Sequence, residues 1–144
     1  MKWFWYTALC LIISSPALAK ETLHGPIQAE VIRVLDGDTF DVRAQIWIGQ
    51  YIETRVRLNG LDTPELRGKC ASEKQKAQSA KAALESLILN KPVYLDNIHG
   101  GKYAGRVIAN AKTGQGQDLS QHMITNGYAR KYDGGARSGW CQSW

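Results

Sequence analysis

From Phe40 to Ile48 apolar and polar residues take strict turns: Phe40, Val42, Ala44, Ile46 and Ile48 against Asp41, Arg43, Gln45 and Trp47. Such a period of two puts successive side chains on opposite faces of an extended chain and is incompatible with a helical stripe. The pattern returns after a Gly49-Gln50 turn, with Ile52, Thr54, Val56 and Leu58 alternating against Glu53, Arg55 and Arg57. Upstream, Ile27 to Leu35 is rich in β-branched residues, and Asp36-Gly37-Asp38 stops it as a turn signal should. Three strands on short turns make a half-buried meander. Its parity places Arg57 on the face opposite Val56 and Leu58.

The periodicity changes after Glu65. Leu66 to Cys70 reads as a loop, and Ser72-Glu73-Lys74-Gln75 fits a capping box with Ser72 as N-cap. Ala77, Ala80, Leu84, Leu87 and Ile88 then form one stripe of an amphipathic helix, which Asn90 and Pro92 end. Val93 to Ile98 and Arg106 to Ala111 read as strands on either side of the loop His99 to Gly105. Asp118 caps a short second helix, with Gln121 three residues on and Asn126-Gly127 as its stop. Lys20 to Pro26 has no period and reads as a loose leader, and the Gly-rich tail Asp133 to Trp144 has no helical stripe. Three strands, helix, two strands, helix is the element order of a five-stranded OB-fold Greek-key barrel with two helices packed on it. That is a mainly β, α+β fold, which commonly binds oligonucleotides. Residues 20–144 are expected to form this one domain.

Residues 1–19 are set apart. Lys2 is a positive start, Trp3 to Ile13 a short apolar run, and Ser15-Pro16-Ala17-Leu18-Ala19 an A-x-A ending, the form of a signal peptide cleaved after Ala19. The run falls short of the ~20 residues a membrane span needs. The product is expected in a periplasm or outside the cell, without stable membrane association, and nothing argues against a monomer. Cys10 leaves with the leader. The remaining Cys70 and Cys141 then read as one disulfide, and neither sits in a zinc-type spacing. The formal net charge of +5 suits a polyanionic partner, but many exported proteins are equally basic, so charge alone selects nothing.

The turns carry the chemistry. Asp38 and Asp62, with the Thr63 carbonyl, are the oxygen donors a hard cation such as Ca²⁺ takes. Glu65, three residues beyond Asp62, is placed to accept a proton from a water. Arg57 and Arg106 can each meet two non-bridging oxygens of a phosphodiester and stay charged at any working pH. Taken singly, each has a plainer reading: Asp and Gly are ordinary turn residues, Glu65 suits a solvated loop, and either arginine can pair with Glu53 or Asp96 on the surface.

Together, Val34-Leu35-Asp36-Gly37-Asp38-Thr39, Arg57-Leu58, Asp62-Thr63-Pro64-Glu65 and Tyr103-Ala104-Gly105-Arg106 resemble the staphylococcal nuclease (thermonuclease) family, over about Ile27 to Tyr132. The resemblance implies an OB barrel that hydrolyses DNA and RNA with Ca²⁺ and leaves 3′-phosphate ends. It carries metal ligation over to Asp38, Asp62 and Thr63, catalysis to Arg57, Glu65 and Arg106, and substrate contacts to Lys102, Tyr103 and Tyr132. Two departures stand out. The family's Asp-Lys-Tyr-Gly-Arg loop is here Gly101-Lys102-Tyr103-Ala104-Gly105-Arg106, one residue longer and without its acid. The chain also stops where longer relatives continue into a helix, so a Cys70–Cys141 bridge would tie its short tail beside the Asp62–Glu65 loop. Two other readings remain. One is a non-catalytic OB module gripping single strands, for which the three acids are superfluous. The other is an interaction domain, which predicts no cation binding.

Overall fold

A computed structural model describes residues 20–141. The signal-peptide reading of residues 1–19 lies outside the described residues. The meander forms as its period dictates: β2 (Ile27–Val34), β3 (Thr39–Trp47) and β4 (Gln50–Leu58) pair antiparallel in turn. The chain then makes the short strand β5 (Leu61–Asp62), the helix α1 (Ala71–Ile88), and strands β6 (Pro92–Gly100) and β7 (Arg106–Thr113). β6 returns to β2, while β7 pairs with β6 and runs parallel to β4, which closes a five-stranded barrel. This is the expected OB topology.

The barrel interior holds Phe40, Val42, Val56, Leu58, Val93 and Leu95, all essentially without exposure. The α1 stripe closes one end with Ala80, Leu84 and Ile88 buried, and Leu87 packs at its margin. Each Leu or Ile so buried contributes about 1.5–3 kcal/mol from apolar area. The second helix α2 (Leu119–Thr125) inserts Leu119 and Met123. Asp118 caps it as expected, its side chain accepting from the Gln121 N–H at 2.8 Å. A last short strand, β8 (Arg130–Lys131), pairs antiparallel with β5.

Three expectations need correction. The leader is not loose: β1 (Thr22–Leu23) pairs with β6, because the barrel leaves backbone groups of β6 open there and two residues are too few to show a period. The capping box does not form. The helix begins two residues early with Cys70 as N-cap, which offers no side-chain cap, and Glu73 turns back to the preceding loop instead. Finally, the far half of the β3–β4 hairpin runs past the barrel, so Ile46 and Ile48, expected on the inner face, are exposed. Alternation sets the face a residue takes, but whether anything covers that face depends on the other elements.

Candidate functional site

The first acidic turn is drawn onto the end of β4 by backbone bonds: the Leu58 N–H donates to the Asp38 carbonyl at 2.8 Å, and the Leu35 and Asp36 N–H groups converge on the Thr39 carbonyl. Gly37 lets it seat closely, since a Cβ there would lie 2.7 Å from Ala80 Cβ and 3.0 Å from Thr63 Cγ2. That contact brings the first acidic turn against the second. Asp38 and Thr63 are both buried. Burial pushes the neighbouring Asp36 carboxyl up to about 6, with the Asp38 charge adding to the rise.

Arg57 lies on the outer face that its parity assigns, yet it is buried, because the chain folds back over it between Asn59 and Asp62. Its guanidinium donates to Asp38 Oδ2 at 3.1 Å and to the carbonyls of Leu61 at 3.2 Å and Leu58 at 3.4 Å. The head group is thereby aimed before any ligand arrives. The Tyr132 ring stands 6.0 Å away, held by its N–H to the Gly60 carbonyl and its hydroxyl to the Gly135 carbonyl.

Asp62 is 1 % exposed. Its Oδ2 accepts from Arg130 at 2.9 and 3.2 Å and from the Trp140 indole at 3.1 Å. Its Oδ1 accepts no hydrogen bond, although Arg137 Nε lies 3.2 Å away: the distance is that of an ion pair, but the N–H is not directed at the oxygen. Glu65 is largely exposed, and its Oε1 accepts from Arg137 Nη1 at 2.5 Å. Partial burial opposes the Arg137 charge, but Asp62, Glu65 and Asp38 outweigh it and hold the guanidinium above its ordinary range.

Arg106 stands at the start of β7 in register with Arg55, while Ile108 is in register with Arg57, so both arginines occupy one outer face of the parallel pair, two positions apart. The longer loop is absorbed by Gly105 at φ 76° and by Gly101, where a Cβ would meet the Arg106 carbonyl at 2.8 Å. Tyr103 is exposed beside it, its ring 4.9 Å from the Arg106 guanidinium and 5.9 Å from Lys102 Nζ. Lys102 and Tyr103 thus stand with Arg106, whereas Tyr132 stands with Arg57. An open cleft of about 1150 Å³ runs from Arg57 past His99, Ile108, Lys131 and Tyr132.

Among the described residues, two buried side-chain polar atoms lack any hydrogen bond, Asp62 Oδ1 and Arg106 Nε. One is an anionic acceptor and the other a cationic donor. Leaving either unpaired in a buried place is costly. A divalent cation would satisfy the first, so the oxygen donors Asp38, Asp62 and Thr63 fit one.

Four residues at the site escape a reading of the sequence: Glu73, Arg130, Arg137 and Trp140. The Cys70–Cys141 bridge is present, with a Cα separation of 6.0 Å, and the tail lies beside the Asp62–Glu65 loop as expected. The even cysteine pair was the signal that the tail returns here. Which of its side chains would reach the acids had no local signature.

The chain matches the family described as Staphylococcal nuclease homologue over residues 55–139. It is 27% identical over 128 residues to an "Uncharacterized endonuclease" of Escherichia coli, covering 89% of this chain and 73% of that protein. Its counterpart in Escherichia coli O157:H7 matches to the same extent. "Protein ParB" of Escherichia coli is 28% identical over 129 residues, covering 85% of this chain and 63% of that protein.

Proposed function

The chain belongs to the staphylococcal nuclease family, and from that premise we propose that it is an exported, calcium-dependent endonuclease cleaving DNA and RNA to 3′-phosphate ends. The observation that carries this reading is the pair of unsatisfied buried atoms, an anionic oxygen on Asp62 and a cationic N–H on Arg106, on the same site as the pre-aimed Arg57. A nucleic-acid grip alone has no use for the first of these.

Asp38, Asp62 and the Thr63 carbonyl would hold Ca²⁺, which supplies positive charge to polarise the scissile phosphate. Arg57 and Arg106 approach that phosphate from one face and stabilise the charge that builds on its non-bridging oxygens. Glu65, on a solvent-accessible loop, accepts a proton from the attacking water or orients it. The water oxygen bonds to phosphorus, the bond to the 5′ oxygen breaks, and the phosphate stays on the 3′ side. Lys102, Tyr103 and Tyr132 line the path of the adjoining nucleotides.

Export rests on the leader at residues 1–19 and fits the Cys70–Cys141 bridge, which persists in oxidising compartments. No helix among the described residues is long and apolar enough to cross a membrane. We take the protein to act as a monomer.

The test is digestion of single-stranded DNA with Ca²⁺ and with a chelator, beside Glu65→Gln. Calcium-dependent cutting that collapses in the variant supports the reading, and the ends are checked by their need for phosphatase before 3′ extension. Tight binding without cutting in any metal would replace it with the binding module.

A further inference from the structure

We propose that Arg137 is a resident counter-ion of the acidic site, one that an incoming divalent cation must displace and whose departure releases Glu65. The inference rests on the nuclease reading, and it assigns the tail a regulatory part in that site.

Three observations support it. The Arg137 guanidinium sits between the two carboxylates, with Nε 3.2 Å from Asp62 Oδ1 and Nη1 2.5 Å from Glu65 Oε1. Its contact with Asp62 is an ion pair without a hydrogen bond, so it balances charge there but leaves the oxygen's bonding capacity unused. The guanidinium is also delivered by a segment held on both sides: before it, the Tyr132 N–H donates to the Gly60 carbonyl and the Tyr132 hydroxyl to the Gly135 carbonyl, and after it residues 138–141 are anchored. Arg130 donates to the Ser138 and Gly139 carbonyls, Trp140 donates to Asp62, and Cys141 is bonded to Cys70. The tail therefore presents Arg137 at high effective concentration, while its half-exposed side chain borders solvent into which a cation could displace it.

A cation coming to Asp62 Oδ1 needs the space and the charge balance that Arg137 now supplies. Two cations in one place repel, and Arg137 is bound at once to Asp62 and to Glu65. Its expulsion therefore strips both. Without a cation, the Glu65 carboxylate is occupied by the Arg137 guanidinium. Once the cation is in place, Glu65 is free. Cation binding and release of Glu65 from Arg137 become a single exchange, reciprocal as any linkage must be.

The test is calorimetric titration with Ca²⁺ in the absence of nucleic acid, which reads binding and not turnover. Arg137→Gln should tighten Ca²⁺ about three- to tenfold, the range expected when a partly exposed competing ion pair is removed. Arg137→Lys, which keeps the charge, should stay nearer the parent. Cys70→Ser/Cys141→Ser, with Arg137 intact but its tail released, should move toward Arg137→Gln. Measurable but equal or weaker Ca²⁺ affinity in Arg137→Gln would overturn the exchange and leave the nuclease reading standing. Absence of Ca²⁺ binding in both parent and Arg137→Gln would overturn both.

Discussion

Glu73 offers the sharpest test of how the active loop is held. It lies in the first turn of α1, is 7 % exposed, and takes no part in any cap of its own helix. Its Oε2 accepts from the Lys69 N–H at 3.0 Å and its Oε1 from the Glu65 N–H at 3.3 Å. Gly68 lays its bare α-carbon against the same carboxyl, where a Cβ would fall 2.5 Å from Glu73 Cδ. One carboxylate therefore organises the loop from Glu65 to Lys69. Glu73→Ala leaves two N–H groups unpaired, at about 1–3 kcal/mol each if buried. Water reaches part of this loop, so the low end applies, roughly 2–3 kcal/mol in total. At about 4 °C per kcal/mol for a domain of this size, the melting temperature should fall by about 8–12 °C. Glu73→Gln keeps the shape and one acceptor and should cost about 1 kcal/mol. Thermal unfolding followed by circular dichroism gives the first number. Nuclease rate at a temperature where the variant is fully folded gives the second, and kcat/KM should drop at least tenfold for Glu73→Ala as the Glu65 backbone loosens. A melting temperature within 2 °C of the parent, or a rate loss no greater than that of the exposed control Glu53→Ala, would refute the assignment.

Replacing both cysteines with serine opens a loop of 71 residues. The chain-entropy model gives about 4 kcal/mol for that closure, so denaturant midpoints should fall accordingly, and an unchanged midpoint would show that the tail stays docked without the bridge. Gly37→Ala should destabilise by about 1–3 kcal/mol and slow cutting, because its Cβ would meet Ala80 and Thr63 and part the two acidic turns; activity equal to the parent would show that the turns need not touch. Asp41 accepts from Arg55 and Arg33, and those bonds hold its carboxyl below the usual range. Its contribution is thus present above about pH 4 and lost as pH falls through the depressed native pKa. Asp41→Asn should therefore lower the urea midpoint at pH 7, by under about 1 kcal/mol given the exposure of both arginines, and match the parent near pH 2. A gap that widens on acidification would contradict this.

The barrel was legible because its strands are half-buried: one covered face imposes a period of two, and that period survives in the residue order whatever packs against it. The same holds for the α1 stripe, for the Asp118 cap and for the acidic turns, all local patterns a few residues long. The leader strand and the true start of α1 were not legible. Thr22–Leu23 is too short to carry a period, and Ser72 to Gln75 satisfies the capping pattern although Glu73 is turned to the preceding loop and Cys70 stands at the N-cap.

The sequence by itself determined the fold class, the ordering of acids and arginines on turns, and the pairing of the two cysteines. Each follows from composition and spacing along the chain. Only the tertiary structure decided which charges share a space. Asp62 meets Arg130 and Trp140 across 68 and 78 residues, and Glu65 meets Arg137 across 72. No periodicity links positions so far apart, because their proximity is set by the β5–β8 pairing and by a disulfide that folds the tail back. The acids were readable from the start, but the arginine that guards them was placed there by closure of the chain.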